Sequence, residues 1–164
     1  MVPSFTKLHD EIVSRGVETI AASGRCTNEV IVLATAIIAE ASTAAFWASG
    51  DGLQDMLGLT LVELALEHGM TPSSCLGFLW SAGAASEVHD QFKFAIECSQ
   101  LSVRLADLHS TSAEIGQIHL LYGACVAPFD GSPLREQLDR FELSTKVRSS
   151  ALTPQDRVLG DRPC

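Results

Sequence analysis

At 164 residues the chain is long enough for one domain with a real core. Hydrophobic residues make up 46% and charged residues only 19%, which excludes a disordered chain. The net charge of -9 argues against a nucleic-acid surface, because phosphate binding needs clustered Lys and Arg, and it disfavours anionic membranes. The simplest reading of that charge is an acidic, solvated surface.

The N-terminal stretch predicts a weak helix from about Lys7 to Ala22, with Leu8, Ile12 and Val13 on one side and Gly24-Arg25 ending it. The first strong helix is expected from Asn28 to Ala48, capped by Thr27 or Asn28. Its run from Val30 to Ala48 approaches the length of a membrane span. Glu40 near the middle would cost about 2.5–3.5 kcal/mol in a bilayer. Thr35, Ser42 and Thr43 weaken that reading further, so a buried helix of a soluble array is expected.

The stretch from Phe46 to Ser74 carries the clearest punctuation. Asp51 and Gln54 are spaced as an N-cap and its reciprocal partner. Leu53, Leu57, Leu61 and Leu64 recur at helical spacing, and Gly69 stops the helix after His68 by taking a left-handed conformation. Thr71-Pro72 starts a third helix, running to about His89 with Leu76, Leu79 and Trp80. A fourth runs from Asp90 to His109 with Phe94, Cys98, Leu101, Leu105 and Leu108 as its seam. The fifth opens on a Thr111-x-x-Glu114 capping box and ends at Pro128. After an Asp130-Gly131 turn, Ser132-Pro133 opens a sixth helix with Leu134, Leu138 and Phe141 as its stripe. Thr153-Pro154-Gln155-Asp156 reads as one more start, cut short at Cys164.

Alternate helices begin near Asn28, Thr71 and Thr111, and near Asp51, Asp90 and Ser132, offsets of about 40 residues that match a two-helix solenoid unit. No strand-like alternation between turn signals competes. The expected fold is therefore all-α: a right-handed stack of antiparallel helix pairs, tetratricopeptide-like, with about six helices and a truncated seventh. Residues 1–26 are expected as a weak helix and linker, 27–152 as the repeat domain, and 153–164 as the start of a further repeat or a disordered tail. Leu76-Gly77 and Trp80 match part of the tetratricopeptide first-helix pattern, in which a small residue admits the partner helix and an aromatic fills the groove.

No catalytic motif stands in the sequence. There is no Gly-x-Gly-x-x-Gly, no phosphate loop and no Gly-x-Ser-x-Gly nucleophile turn. The five cysteines, Cys26, Cys75, Cys98, Cys125 and Cys164, form no Cys-x-x-Cys pair, so neither a zinc site nor any other metal or cofactor is expected. Free thiols in apolar helices, with no apolar signal core at the N-terminus, point to a reducing, cytoplasmic setting. His68, His89 and His109 fall near helix C-termini, where an imidazolium would help satisfy the last carbonyls. His9-Asp10-Glu11 lacks the residues that normally follow a phosphoacceptor histidine.

Ala45-Phe46-Trp47-Ala48, Leu64-Ala65-Leu66-Glu67-His68-Gly69 and Thr71-Pro72-Ser73-Ser74 resemble the helical region of very large bacterial and fungal signalling proteins. Those proteins fuse a protein-kinase-like domain, an AAA-type ATPase, helical repeats, a GAF domain and a histidine kinase. The similarity continues through Phe92-Lys93-Phe94-Ala95, Leu101-Ser102-Val103-Arg104-Leu105 and Pro133-Leu134-Arg135-Glu136, covering roughly Ile12 to Asp156. None of the family's kinase, ATPase, GAF or histidine-kinase motifs is present, so no catalytic residue carries over. The resemblance implies a fragment or stand-alone relative of the helical coupling region, whose partners are the adjacent ATPase, GAF and kinase domains or another protein.

The expectation is thus a non-enzymatic scaffold or intramolecular coupler in phosphorelay signalling, binding a peptide or helix in the groove between stacked pairs. Phe46, Trp47, Trp80 and Tyr122 are the candidate groove residues, although each also suits a core position. The rival is a helical ligand-binding or enzymatic domain with His119, Tyr122 and Cys125 around an internal apolar pocket.

Overall fold

The computed structural model describes residues 4–48, 52–110 and 112–127 continuously, then residues 130, 131, 133, 135, 136, 138, 139, 141, 142 and 145. Seven helices run through the described residues: α1 Phe5–Arg15, α2 Val17–Ala21, α3 Glu29–Trp47, α4 Leu53–His68, α5 Ser74–Glu87, α6 Phe92–His109 and α7 Ser112–Cys125. Residues 135, 136, 138, 139, 141, 142 and 145 are helical as well, on the stretch expected to form the last pair. No strand occurs among the described residues; a single bridge joins Arg25 to Met70. The fold is all-α.

α5 is the axis. Every residue on it except Gly83, Ser86 and Glu87 is buried. It packs against α4 and α6 along its length, and against α3 and α7 on the remaining side. Two glycines permit that density. A Cβ on Gly77 would stand 2.6 Å from Leu61 Cβ, and one on Gly58 would stand 2.6 Å from Trp80 Cβ. The axes of α4 and α5 approach as closely as backbone allows, and side chains above and below fill the rest.

α5 begins at Ser74, three residues after the expected Thr71 start. Thr71 N–H donates to Ser74 Oγ at 2.9 Å, and Pro72 lies in the turn between them rather than at the first helical position. At the end of α4, Gly69 has φ +94° and ψ 170°, an open conformation rather than the compact left-handed one expected. Its reason is proximity. A Cβ there would lie 2.8 Å from Gly24 O, because Met70 N–H donates to Gly24 O at 3.0 Å and Cys26 N–H to Met70 O at 2.9 Å. The loop before α3 is clipped onto the loop before α5.

The N-terminal stretch departs from one expectation, a single helix from about Lys7 to Ala22. Gly16, at φ +75°, breaks the helix in two, and Leu8, Ile12 and Ile20 are buried in the common core. α1 lies on α4 and α2 on α6. Arg15 Nη1 donates to the Leu66 carbonyl at 2.9 Å near the end of α4, and Arg104 holds Glu18 with two bonds of 2.7 and 2.8 Å.

α3 corrects another. Asn28 caps it as expected, accepting from Val30 N–H at 3.0 Å. It is not a buried helix, however: only 22% of its apolar stretch is covered. The buried residues are the small ones, Thr35, Ala39, Ser42 and Ala45, which let it approach α4 and α5 closely. Val30, Leu33 and Ile37 face outward, because α3 stands at the edge of the bundle. By length and hydropathy it is long and apolar enough to cross a membrane, with Glu40 exposed near its middle.

Several expectations fall partly or wholly outside the described residues, among them the Pro128 stop and Ser132 and Leu134 of the sixth helix. Asp51 is among the residues left undescribed, and α4 starts at Leu53 with Gly52 in the left-handed conformation before it. Thr111 and the Thr153–Asp156 start also lie outside them. Phe141 packs on α7, where a Cβ on Gly123 would meet its ring at 3.3 Å.

Candidate functional site

α3, α5 and α7 together leave a trough over the middle of α5. Two polar contacts organise it. Trp80, rising from α5, donates its indole N–H to Ser42 Oγ on α3 at 3.0 Å, and Ser42 donates in turn to Ala39 O at 2.8 Å. Gln117 on α7 donates to Thr43 Oγ1 on α3 at 3.0 Å, a bar across the trough. Both α3 residues follow from its polar, small face turning inward. Their hydroxyls accept from neighbours that an alanine could not satisfy.

On one side of the bar lies a hollow of about 300 Å³ lined by Phe46, Trp47, Trp80, Leu120 and Leu121. Phe46 sits 5.1 Å from Trp80 and 5.2 Å from Trp47 between ring centres, so three aromatic rings form a ladder from core to surface. Trp80 is buried; Trp47 is 75% exposed. A large aromatic that protrudes beside a hollow has the form of a binding anchor's counterpart. The hollow runs on past Phe46 and Leu121 to a recess bordered by Asp55 and Glu87. Burial pushes the Asp55 carboxyl above its ordinary range, with the His89 charge opposing the shift. On the other side of the bar is a smaller hollow of about 100 Å³ with Glu40 and Glu114 at its edge, where Ser73 Oγ donates to Glu114 Oε1 at 3.3 Å.

Of the four residues expected in a groove, Phe46, Trp47 and Trp80 therefore meet in one place. Tyr122 does not. It is 2% exposed, on the inward side of α7, and its hydroxyl is hydrogen-bonded to the Asp130 carboxylate. The sequence reading missed Thr43, Gln117, Leu120 and Leu121. Adjacent leucines at 120 and 121 were the available signal. A helix that needs only one buried stripe does not require apolar residues on both sides of its axis.

Of the residues of the rival pocket, His119 and Tyr122 are buried and line none of these three hollows. The Cys125 side chain lies outside what the structure describes. Burial pushes the Cys75 thiol up to about 11 and the Cys98 thiol up to about 12, so both stay protonated and unreactive near neutrality. Among the described residues, no group of three His, Cys, Asp or Glu is placed to hold a metal.

Two of the three histidines expected as caps at helix ends, His89 and His109, make other contacts. His89 stacks on Phe5 at 4.0 Å. His109 accepts from Arg25 Nε at 3.1 Å, while Arg25 Nη2 takes the Leu108 carbonyl at 2.7 Å. Burial, and then the neighbouring Arg25 charge, lower the His109 pKa. The cation at the end of α6 is thus Arg25, and His109 is its neutral acceptor. A wider hollow of about 590 Å³ lies between α1 and the start of α6, with Asp90, Lys93 and Glu97 giving it mixed charge.

Set against protein-family models, curated proteins and solved structures, the chain matches none.

Proposed function

We propose that this chain is a non-catalytic helical repeat module that presents the trough over α5 to a protein partner. The observation that carries the reading is the exposed Trp47 at the mouth of a 300 Å³ aromatic hollow. In this reading α3 with α4 and α5 with α6 are stacked antiparallel pairs of a tetratricopeptide-like solenoid, and α7 opens the third pair. The packing of α5 on α3, α4, α6 and α7 supports it, since the first helix of a middle unit meets both helices of the unit before, its own partner and the first helix of the next. α1 and α2 then cover the face made by α4 and α6 and leave the α3–α5–α7 face open.

The role is scaffold or intramolecular coupler in sensor-kinase phosphorelay signalling, in the cytoplasm, with neighbouring ATPase, GAF and kinase domains as the partners. This part rests on the motif resemblance at Ala45–Ala48, Leu64–Gly69 and Thr71–Ser74. Sequencing the transcript on both sides of this reading frame tests it. In-frame ATPase, GAF or kinase motifs are the expected result. Stop codons on both sides, with a stable 164-residue product, would overturn the coupler role.

A further inference from the structure

We infer that the trough's occupant is a cationic protein segment: a short apolar anchor with lysine or arginine on both sides. The inference rests on the trough being a partner site, and it adds the partner's chemistry.

The lining is apolar at the centre and of one sign at its ends. Phe46, Trp47 and Trp80 make the central hollow. Glu40 and Glu114 border the end near the start of α5, and Asp55 and Glu87 border the other. No Lys or Arg stands among the residues that line these hollows. From Leu76 to Glu87, α5 rises about 16 Å. That length matches about five residues of extended chain, so an anchor in the aromatic hollow puts flanking side chains over both acidic ends. Asp55 is already partly desolvated, and a cation beside it restores what burial took away. The whole chain's charge of -9 draws such a segment in and repels an acidic one.

The same charges argue against other occupants. Nucleic acid would set phosphates against four carboxylates. A second copy of the chain would bring its own acidic ends to an isologous contact, like against like.

The test uses a fluorescein-labelled peptide of about twelve residues with a Leu-Leu centre between Lys-Arg pairs, and a twin with Glu for every Lys and Arg. Anisotropy titrations at low salt are expected to show the basic peptide binding at least about 10-fold more tightly than its twin. Trp47→Ala weakens it by about 10-fold, and Glu40→Lys with Glu87→Lys reverses the preference. All three side chains are exposed, so these variants fold. Equal binding of both peptides that still depends on Trp47 would overturn the cationic occupant and leave the trough as a site. No binding up to about 1 mM, or binding that Trp47→Ala leaves unchanged, would overturn the trough itself. A sedimentation dimer abolished by Trp47→Ala would identify a second copy as the occupant and overturn the inference.

Discussion

Gly77 lies directly against Leu61: a Cβ on the glycine would be 2.6 Å from the leucine's own, and 3.1 Å from Gly58 O. Neither neighbour is the far end of a flexible side chain, so α4 and α5 must separate to admit a methyl group. Gly77→Ala is expected to cost about 1–3 kcal/mol from overpacking, less up to about 1 kcal/mol regained in helix propensity. Gly83 is the control on the same helix. A Cβ there meets nothing within 4 Å, so Gly83→Ala gains up to about 1 kcal/mol. Urea unfolding of the two variants should move the midpoint in opposite directions; a shared direction would show that α4 and α5 are not in this contact.

The Trp80–Ser42 bond predicts a second pair of effects. Ser42→Ala leaves a buried indole N–H without its acceptor, at a cost of about 1–3 kcal/mol. Trp80→Phe in the Ser42→Ala background removes the orphaned donor. A double-mutant cycle should therefore show coupling between the two positions, measured by thermal unfolding. Additive effects would mean the bond does not form.

The buried thiols set the alkaline limit. Cys75 and Cys98 have pKa values raised by burial from an ordinary 9.0 to about 11 and about 12. Between those limits the unfolded chain gives up protons that the folded chain keeps. Their contribution is whole below pH 9.0 and is lost as pH rises toward the folded values. Stability should fall above that point, and replacing both with Ala should flatten the fall. In the native protein at mild alkaline pH, half-buried Cys26 should alkylate well before either; mass spectrometry of digests reads this directly.

The acid limb has two named contributors. His109 is held neutral, its pKa below the ordinary 6.5, so its contribution is present above that pH and fades as pH falls through the folded value. Glu18 is held below its ordinary 4.5 by the hydrogen bonds and charge of Arg104, and its contribution goes later on the same descent. Because that pair is exposed, salt should weaken it as well. Protection factors of the α2 amides, corrected for intrinsic exchange, should fall as pH is lowered below 4.5, to about the extent that Arg104→Gln causes at neutral pH. No difference between wild type and variant at neutral pH would discard the pair as a tether.

Helix positions were legible because their punctuation is local. Asn28 and the Thr71-Pro72-Ser73-Ser74 turn act within a few residues of themselves, and Gly69 follows the last residue of α4 as expected, although its conformation answers to Gly24 across the fold. What the sequence hid was facing. α3 is apolar on nearly every side, so periodicity cannot tell its inner face from its outer. The choice went to Thr35, Ser42 and Thr43, whose hydroxyls bond back to their own helix and allow close approach. The trough was half legible for the same reason. Aromatic size marked Phe46, Trp47 and Trp80, but only the turn of α7 decides that Leu120 and Gln117 face the trough while Tyr122 faces Asp130.

The path of the first two helices has a consequence for how the chain reaches this fold. A linear stack can assemble and fray one pair at a time, since each unit meets only its neighbours. Here α1 waits for α4, and α2 waits for α6, whose Arg104 lies 86 residues from Glu18 in sequence. Docking the amino-terminal residues closes a loop over most of the described chain. The loop-closure entropy is spent late, after α4, α5 and α6 have met. Such a chain is expected to open as a single cooperative unit, with α2 and α6 losing amide protection together rather than one pair at a time.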